Sequence, residues 1–182
     1  MNSSTHVYYR ICNDLPNIPE DLENDAYECM NIDNCFYERL GINKYNVSPK
    51  ITQWLNDFII PQLDEKTYIG NISIQKITPS YSTNPPHTDG SGECVLFYFL
   101  TLGGTNVTTR WWQEKDEPLI RKLGIKNSDK ENFKEVCSTV IPLKQWVSIT
   151  SNIFHNVDDV TSDRISISIR LKQHNIITDN NF

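Results

Sequence analysis

A chain of 182 residues, 38% hydrophobic and 10% aromatic, is long enough for one domain with a substantial buried core. No apolar run approaches the ~20 residues that cross a bilayer. The opening MNSSTHVYYRICND has no basic start followed by an apolar stretch, so the expectation is no membrane partner, no signal peptide and a cytoplasmic home. A net charge of −6 and a pI near 5.2 repel a phosphate backbone, which argues against nucleic acid as a partner. The basic stretch RKLGIK at 121–126 is short, lacks interleaved aromatics and reads as a solvated face. Five cysteines, odd in number and none in a Cys-x-x-Cys pair, argue against a disulfide framework or a thiolate zinc site.

The first 67 residues read as a helical N-terminal layer. Short helices are expected near 20–30 and 34–40. A clearer one begins at Ser48, a good N-cap, with Pro49 at the first helical position. Ile51, Trp54, Leu55, Phe58 and Ile59 then fall on one face, as core packing requires, and Pro61 ends the segment.

From Tyr68 the period changes. Ile69, Ile72, Ile74 and Ile77 stand among Ser73, Gln75 and Thr78, a strand pattern. Residues 94–100 (CVLFYFL) form a nearly continuous apolar run, the mark of a strand covered on both faces. Gly103 and Gly104 make a turn, and 105–112 reads as another strand. The charged insert 113–133, with a short helix near 117–123, has the length and polarity of a lid. Strand character returns at 133–143, 146–150 and 164–171. The last alternates sharply, with Ile165, Ile167, Ile169 and Leu171 on one face and Arg164, Ser166, Ser168 and Arg170 on the other. The chain thus reads as a single mainly β domain over 1–182. A helical layer (1–67) packs outside a β-sandwich or barrel (68–172), and a tail follows (173–182).

The stretch NPPHTDGSGE at 84–93 places His87 and Asp89 between a proline-stiffened approach and a glycine-rich turn. A lone His-x-Asp is weak evidence, since a turn with an Asx-type bond uses the same residues. The rest of the set adds weight. The chain has four histidines; His6 and His174 lie in terminal segments, and His155 lies 66 residues past Asp89. Two imidazoles and one carboxylate on one side of a metal are the facial triad of non-haem Fe(II) oxygenases. His and Asp two apart on an extended segment point to the same side, so they can grip one ion. Nine residues beyond His155, Arg164 opens the alternating strand. A buried diacid would need a paired cation, and arginine offers a bidentate fork. An inward face with two arginines would be costly in a plain apolar core. Arg170 itself reads as a solvent-facing or salt-bridged strand end, and Trp111 and Trp112 as wall and core.

His87-Thr88-Asp89, His155 and Arg164 together resemble the pattern of the Fe(II)/2-oxoglutarate-dependent oxygenases, whose shared fold is the double-stranded β-helix or jelly roll. HTDGSGECVLFYFL followed by HNV and RISISI is similar to the prolyl-4-hydroxylase-like branch. TRWWQEK and the short length are similar to small oxygenases encoded by bacteriophages. Arg164-Ile165-Ser166 also resembles the Arg-x-Ser element of plant and antibiotic-synthesis members. The likeness covers roughly 68–172.

The resemblance implies metal binding by His87, Asp89 and His155, and 2-oxoglutarate binding by Arg164 with Ser166. It also implies a co-substrate tyrosine after the first ligand pair. Tyr98 is the nearest candidate, with Phe99 as the other occupant of that place. The implied cofactors are Fe(II), 2-oxoglutarate and O2, with ascorbate as a further candidate. The implied activity is hydroxylation of a peptidyl side chain or small molecule, since Asp89 keeps the carboxylate ligand that halogenating relatives lack. Two rival classes stand beside it: a non-catalytic jelly roll binding metal or ligand, and a structural virion-type β-sandwich. Neither substrate nor oligomeric state is written in these motifs.

Overall fold

The alternation along the last strand sets the layers of the molecule. The computed structural model describes residues 8–39, 41–63, 67–83, 85–89, 93–115 and 130–173. In chain order the elements are β1 (Tyr9–Ile11), α1 (Glu20–Glu28), β2 (Cys35–Arg39), β3 (Ile42–Tyr45), α2 (Pro49–Phe58), β4 (Thr67–Ile77) and β5 (Glu93–Leu102). They continue with β6 (Thr108–Glu114), β7 (Phe133–Thr139), β8 (Trp146–Thr150), β9 (His155–Asp158) and β10 (Arg164–Gln173). A seven-stranded sheet has the order β1-β8-β5-β10-β4-β3-β2, and a three-stranded sheet the order β7-β6-β9. All these pairings are antiparallel.

From β4 onward the chain passes back and forth between the sheets. It leaves β4, makes a single bridge at His87 to His155 of β9, returns in β5, and crosses to β6 and β7. It then runs through β8 in the large sheet, β9 in the small one and β10 at the centre of the large one. Four strands of the large sheet, β8-β5-β10-β4, thus oppose β7-β6-β9 and the His87 bridge. That is the double-stranded β-helix. Strands β1, β2 and β3 widen the large sheet at its two edges.

Both helices cover the outer face of the large sheet. Ile165, Ile167 and Ile169 of β10 pack there with Leu22 and Ala26 of α1 and Ile51 and Leu55 of α2, all buried. Ser48 caps α2 by accepting from the Ile51 N–H at 3.2 Å, and its hydroxyl bonds Asp25, tying the two helices together. The apolar run of β5 is apolar on both sides because it is sandwiched. Leu96, Tyr98 and Leu100 face the helices, while Phe97 and Phe99 face the small sheet with Trp111 and Val147.

One segment departs from the sequence pattern. Within 34–40, read as helix, Cys35–Arg39 form strand β2, which pairs with β3; Gly41 between them has φ +80°. Before β4, the described residues thus hold strands β1, β2 and β3 as well as helices α1 and α2. His155, read as lying just past the 146–150 strand, does follow β8 and opens the short strand β9, whose four residues are too few to show a period. Most of the charged insert, residues 116–129, lies outside the described residues, and with it the expected helix near 117–123; so does the tail from 174.

Ile167, fully buried at the centre of β10, and Ile32, 89% exposed, are contrasting test sites. Ile167→Ala is expected to cost about 2–5 kcal/mol by cavity formation. Ile32→Ala should stay within about 0.5 kcal/mol of wild type. Urea denaturation of the two variants checks this.

Candidate metal centre

His87 and His155 exchange backbone hydrogen bonds. The His87 N–H donates to the His155 carbonyl at 3.0 Å, and the His155 N–H to the His87 carbonyl at 2.9 Å. Residues paired this way in an antiparallel ladder point their side chains to the same face, and the two imidazole centroids lie 4.9 Å apart. Asp89 follows two residues on, its N–H anchored to the Ser151 carbonyl at 2.8 Å, and so faces the same side. Nε2 of His87 is 3.7 Å from one Asp89 oxygen, and Nε2 of His155 is 4.0 Å from the other. One ligand atom from each of the three lies within 4.8 Å of the other two.

The outer nitrogens are held as a metal site needs. Nδ1 of His155 donates to the Ile153 carbonyl at 2.8 Å, and Nδ1 of His87 to the Pro85 carbonyl at 3.2 Å. A proton fixed on Nδ1 leaves the Nε2 lone pair of each ring directed at the centre. Burial holds the His155 pKa below the ordinary histidine value, against the partly offsetting charge of Asp89. The neutral, ligating form is therefore favoured at pH 7. Two imidazoles and a carboxylate suit a divalent first-row metal and leave coordination positions open.

Arg164 lines the same pocket. It starts β10 beside Gly103, whose φ of +79° brings the loop close enough that a Cβ there would lie 2.8 Å from the Arg164 Cβ. A bulge between Ile165 and Ser166 interrupts the pairing with β5, as bulges beside sites commonly do. The side chain is only 3% exposed. Its guanidinium lies 4.4 Å over the Phe99 ring, and Nη2 reaches Thr109 Oγ1 at a long 3.4 Å. Nε and Nη1 are buried with no hydrogen-bond partner among the described residues. Burial pushes its pKa down to about 10, so it is still charged at neutral pH. An unmatched buried cation is costly, and an anion is what would satisfy it.

Ser166, two residues on, is buried in the same wall. Tyr98 is not in the pocket. It points to the opposite face of β5, packs on Trp146 and donates its hydroxyl to Glu23 of α1 at 3.1 Å. That corrects its assignment as the co-substrate tyrosine; Phe99 occupies the inward position. The tyrosine the pocket does contain is Tyr81, which donates its hydroxyl to His87 Nε2 at 3.0 Å. No sequence signal marked it, because it stands in a short polar turn with no period. Arg170 faces the pocket as well, with Nη2 3.9 Å from Asp89, matching its reading as a salt-bridged residue. Trp111 is fully buried and Trp112 half-exposed, bonded through Nε1 to Asn156.

No protein-family model and no curated protein sequence matches this chain. Among solved structures it is similar to an N-substituted L-amino acid dioxygenase from Burkholderia ambifaria AMMD. That likeness covers 87% of this chain and 84% of the other, at 10% identity and a TM-score of 0.46. It is also similar to a non-heme monooxygenase, the ThoJ–nickel complex, at 15% identity and a TM-score of 0.36. There 69% of this chain is covered, and it spans about half of the other, 50%. Likenesses so distant say nothing of chemistry, which has to come from the side chains.

Two outcomes follow from the corrected positions. Tyr98 is pushed up to about 12 by burial and by the facing Glu23 carboxylate, while the unfolded chain ionises near the ordinary value of 10.0. Between these values only the unfolded state has lost the proton, so stability falls as pH rises from 10 towards 12. Tyr98→Phe should remove that part of the alkaline loss, as read from urea midpoints across the range. Arg164→Met, by deleting an unmatched buried charge, should leave the ligand-free protein as stable or roughly 1–4 kcal/mol more stable. A clear loss on the same assay would show that the guanidinium has a structural partner.

Proposed function

We propose that the protein is an Fe(II)- and 2-oxoglutarate-dependent dioxygenase that hydroxylates a small molecule or a peptidyl side chain. The supporting observation is the unmatched guanidinium of Arg164 in the same pocket as the His87, Asp89 and His155 donors. Either feature alone has a plainer explanation; a metal-donor set facing a buried cation is what a metal-chelating diacid requires.

His87, Asp89 and His155 would hold the iron, which supplies activation of dioxygen coupled to decarboxylation of 2-oxoglutarate to succinate. Arg164 would hold the far carboxylate of the co-substrate by charge-assisted hydrogen bonds, on a wall that also carries Ser166. Phe97, Phe99, Ile149 and Val157 keep water from the pocket walls. The Tyr81 hydroxyl bonds His87 Nε2, so a metal held by that nitrogen would take the place of this hydrogen bond. The two His–carbonyl bonds keep both rings in the ligating tautomer throughout.

Anaerobic loading with Fe(II), addition of 2-oxoglutarate and admission of air should yield succinate. His155→Ala should abolish it. Arg164→Met should weaken 2-oxoglutarate binding by about 2–5 kcal/mol, the usual consequence of removing one partner of a buried charge pair. Metal binding with no succinate would favour the non-catalytic reading, and wild-type turnover in His155→Ala would remove that residue from the ligand set.

A further inference from the structure

The pocket holds a ligand atom that the set of two histidines and one aspartate leaves out. Tyr81 is buried, 5% exposed, and its hydroxyl donates to Nε2 of His87 at 3.0 Å. Nε2 is the atom through which His87 would hold a metal, because its Nδ1 is committed to the Pro85 carbonyl. Two atoms bonded to one metal at about 2.1 Å each, and at right angles, stand about 3.0 Å apart. The Tyr81 oxygen therefore has the spacing from Nε2 that neighbouring ligands have. The Asp89 oxygen is farther from the same nitrogen, at 3.7 Å.

A separation of 3.0 Å is also an ordinary hydrogen bond. Position has to decide between a ligand and a bystander that a metal would push aside. Tyr81 lies in the short helical turn Pro79–Thr83, six residues before His87. That turn is tied down. The Tyr81 N–H donates to the Thr78 carbonyl at 2.9 Å, and the Thr78 N–H donates to the Gly41 carbonyl at 2.8 Å. Gly41 comes so close that a Cβ there would lie 3.0 Å from the Tyr81 nitrogen. The phenol ring meets the His87 imidazole edge-on, at 87° and 6.1 Å between centroids. With its backbone fixed and its ring buried, the side chain has little room to withdraw, so its oxygen stays beside an ion on Nε2. Arg164, in the same pocket, would favour negative charge on that oxygen.

We propose that Tyr81 is a fourth protein ligand to the metal when no co-substrate is bound. The phenol oxygen bonds the metal through a lone pair and its proton passes to solvent, as ligation by an acidic group requires. This rests on the metal site of the reading above and not on its co-substrate. A six-coordinate metal held by three side chains has three open positions; with Tyr81 in place, two remain. A chelating 2-oxo acid would take both, so Tyr81 has to let go before a further ligand can enter. The tyrosine is thus a guard on the open side of the centre.

The test loads the protein anaerobically with Fe(II), without co-substrate, and oxidises the bound metal with one equivalent of ferricyanide, which takes one electron from the iron. An Fe(III)–phenolate pair absorbs strongly in the visible, whereas imidazole and carboxylate ligands alone do not. Wild type is expected to become strongly coloured, and Tyr81→Phe, which keeps the buried ring, to stay nearly colourless. Raman scattering excited in the band should carry tyrosine ring vibrations that shift in protein made with ring-deuterated tyrosine. Calorimetry with Mn(II) should show Tyr81→Phe binding several-fold more weakly than wild type. Iron bound without the band, a band that survives Tyr81→Phe, or equal or tighter Mn(II) binding by Tyr81→Phe overturns the proposal and leaves the dioxygenase reading standing. Tighter binding is what removal of a competing hydrogen bond would give. Failure of the protein to bind either metal ends both the proposal and that reading.

Discussion

The pair of backbone hydrogen bonds between His87 and His155 is the constraint on which the centre depends. It joins a segment between β4 and β5 to β9, and so adds the missing rung to the small sheet. The same bonds force two imidazoles 68 positions apart onto one face. Asp89 then needs only its place two residues on and one bond to Ser151. Closing the fold and building the donor set are thus one event.

β10 shows how the molecule separates stability from chemistry. Its outward face is all isoleucine and leucine and packs on the helices; its inward face carries Arg164, Ser166, Ser168 and Arg170. Ser168 is satisfied by Ser73, at 3.0 Å between hydroxyls and 3.1 Å to its carbonyl. Arg164 has no comparable satisfaction among the described residues. A buried charge left unmatched is a local violation of good packing, and such violations gather where a ligand supplies the missing partner. The glycine at 103 and the bulge next to Arg164 belong to the same device, since both fix where the guanidinium emerges.

Much of this was visible before any coordinates. The helix from Pro49 could be read from its cap and its stripe, and β10 from its alternation, because both patterns are local. His87, Asp89, His155 and Arg164 could be nominated from residue chemistry and spacing. Other parts were hidden for equally physical reasons. β5 is apolar on both faces, so no period tells that Phe99 looks inward and Tyr98 towards Glu23. Residues 35–39 lack a period of either kind and take their form from pairing with β3. Tyr81 carries no signal until the turn is seen to bring its hydroxyl to His87.

The sequence by itself therefore determined which side chains share a face, since periods of 2 and 3.6 follow from backbone geometry over a few residues. It also determined the chemistry on offer: two imidazoles, a carboxylate and two arginines on one face of a strand, in an otherwise acidic chain. Only the tertiary structure decided that these groups meet, which tyrosine attends them, and that both arginines line one pocket. Those are contacts between residues far apart in the chain, and their geometry is set by strand pairing and register, which no local pattern encodes.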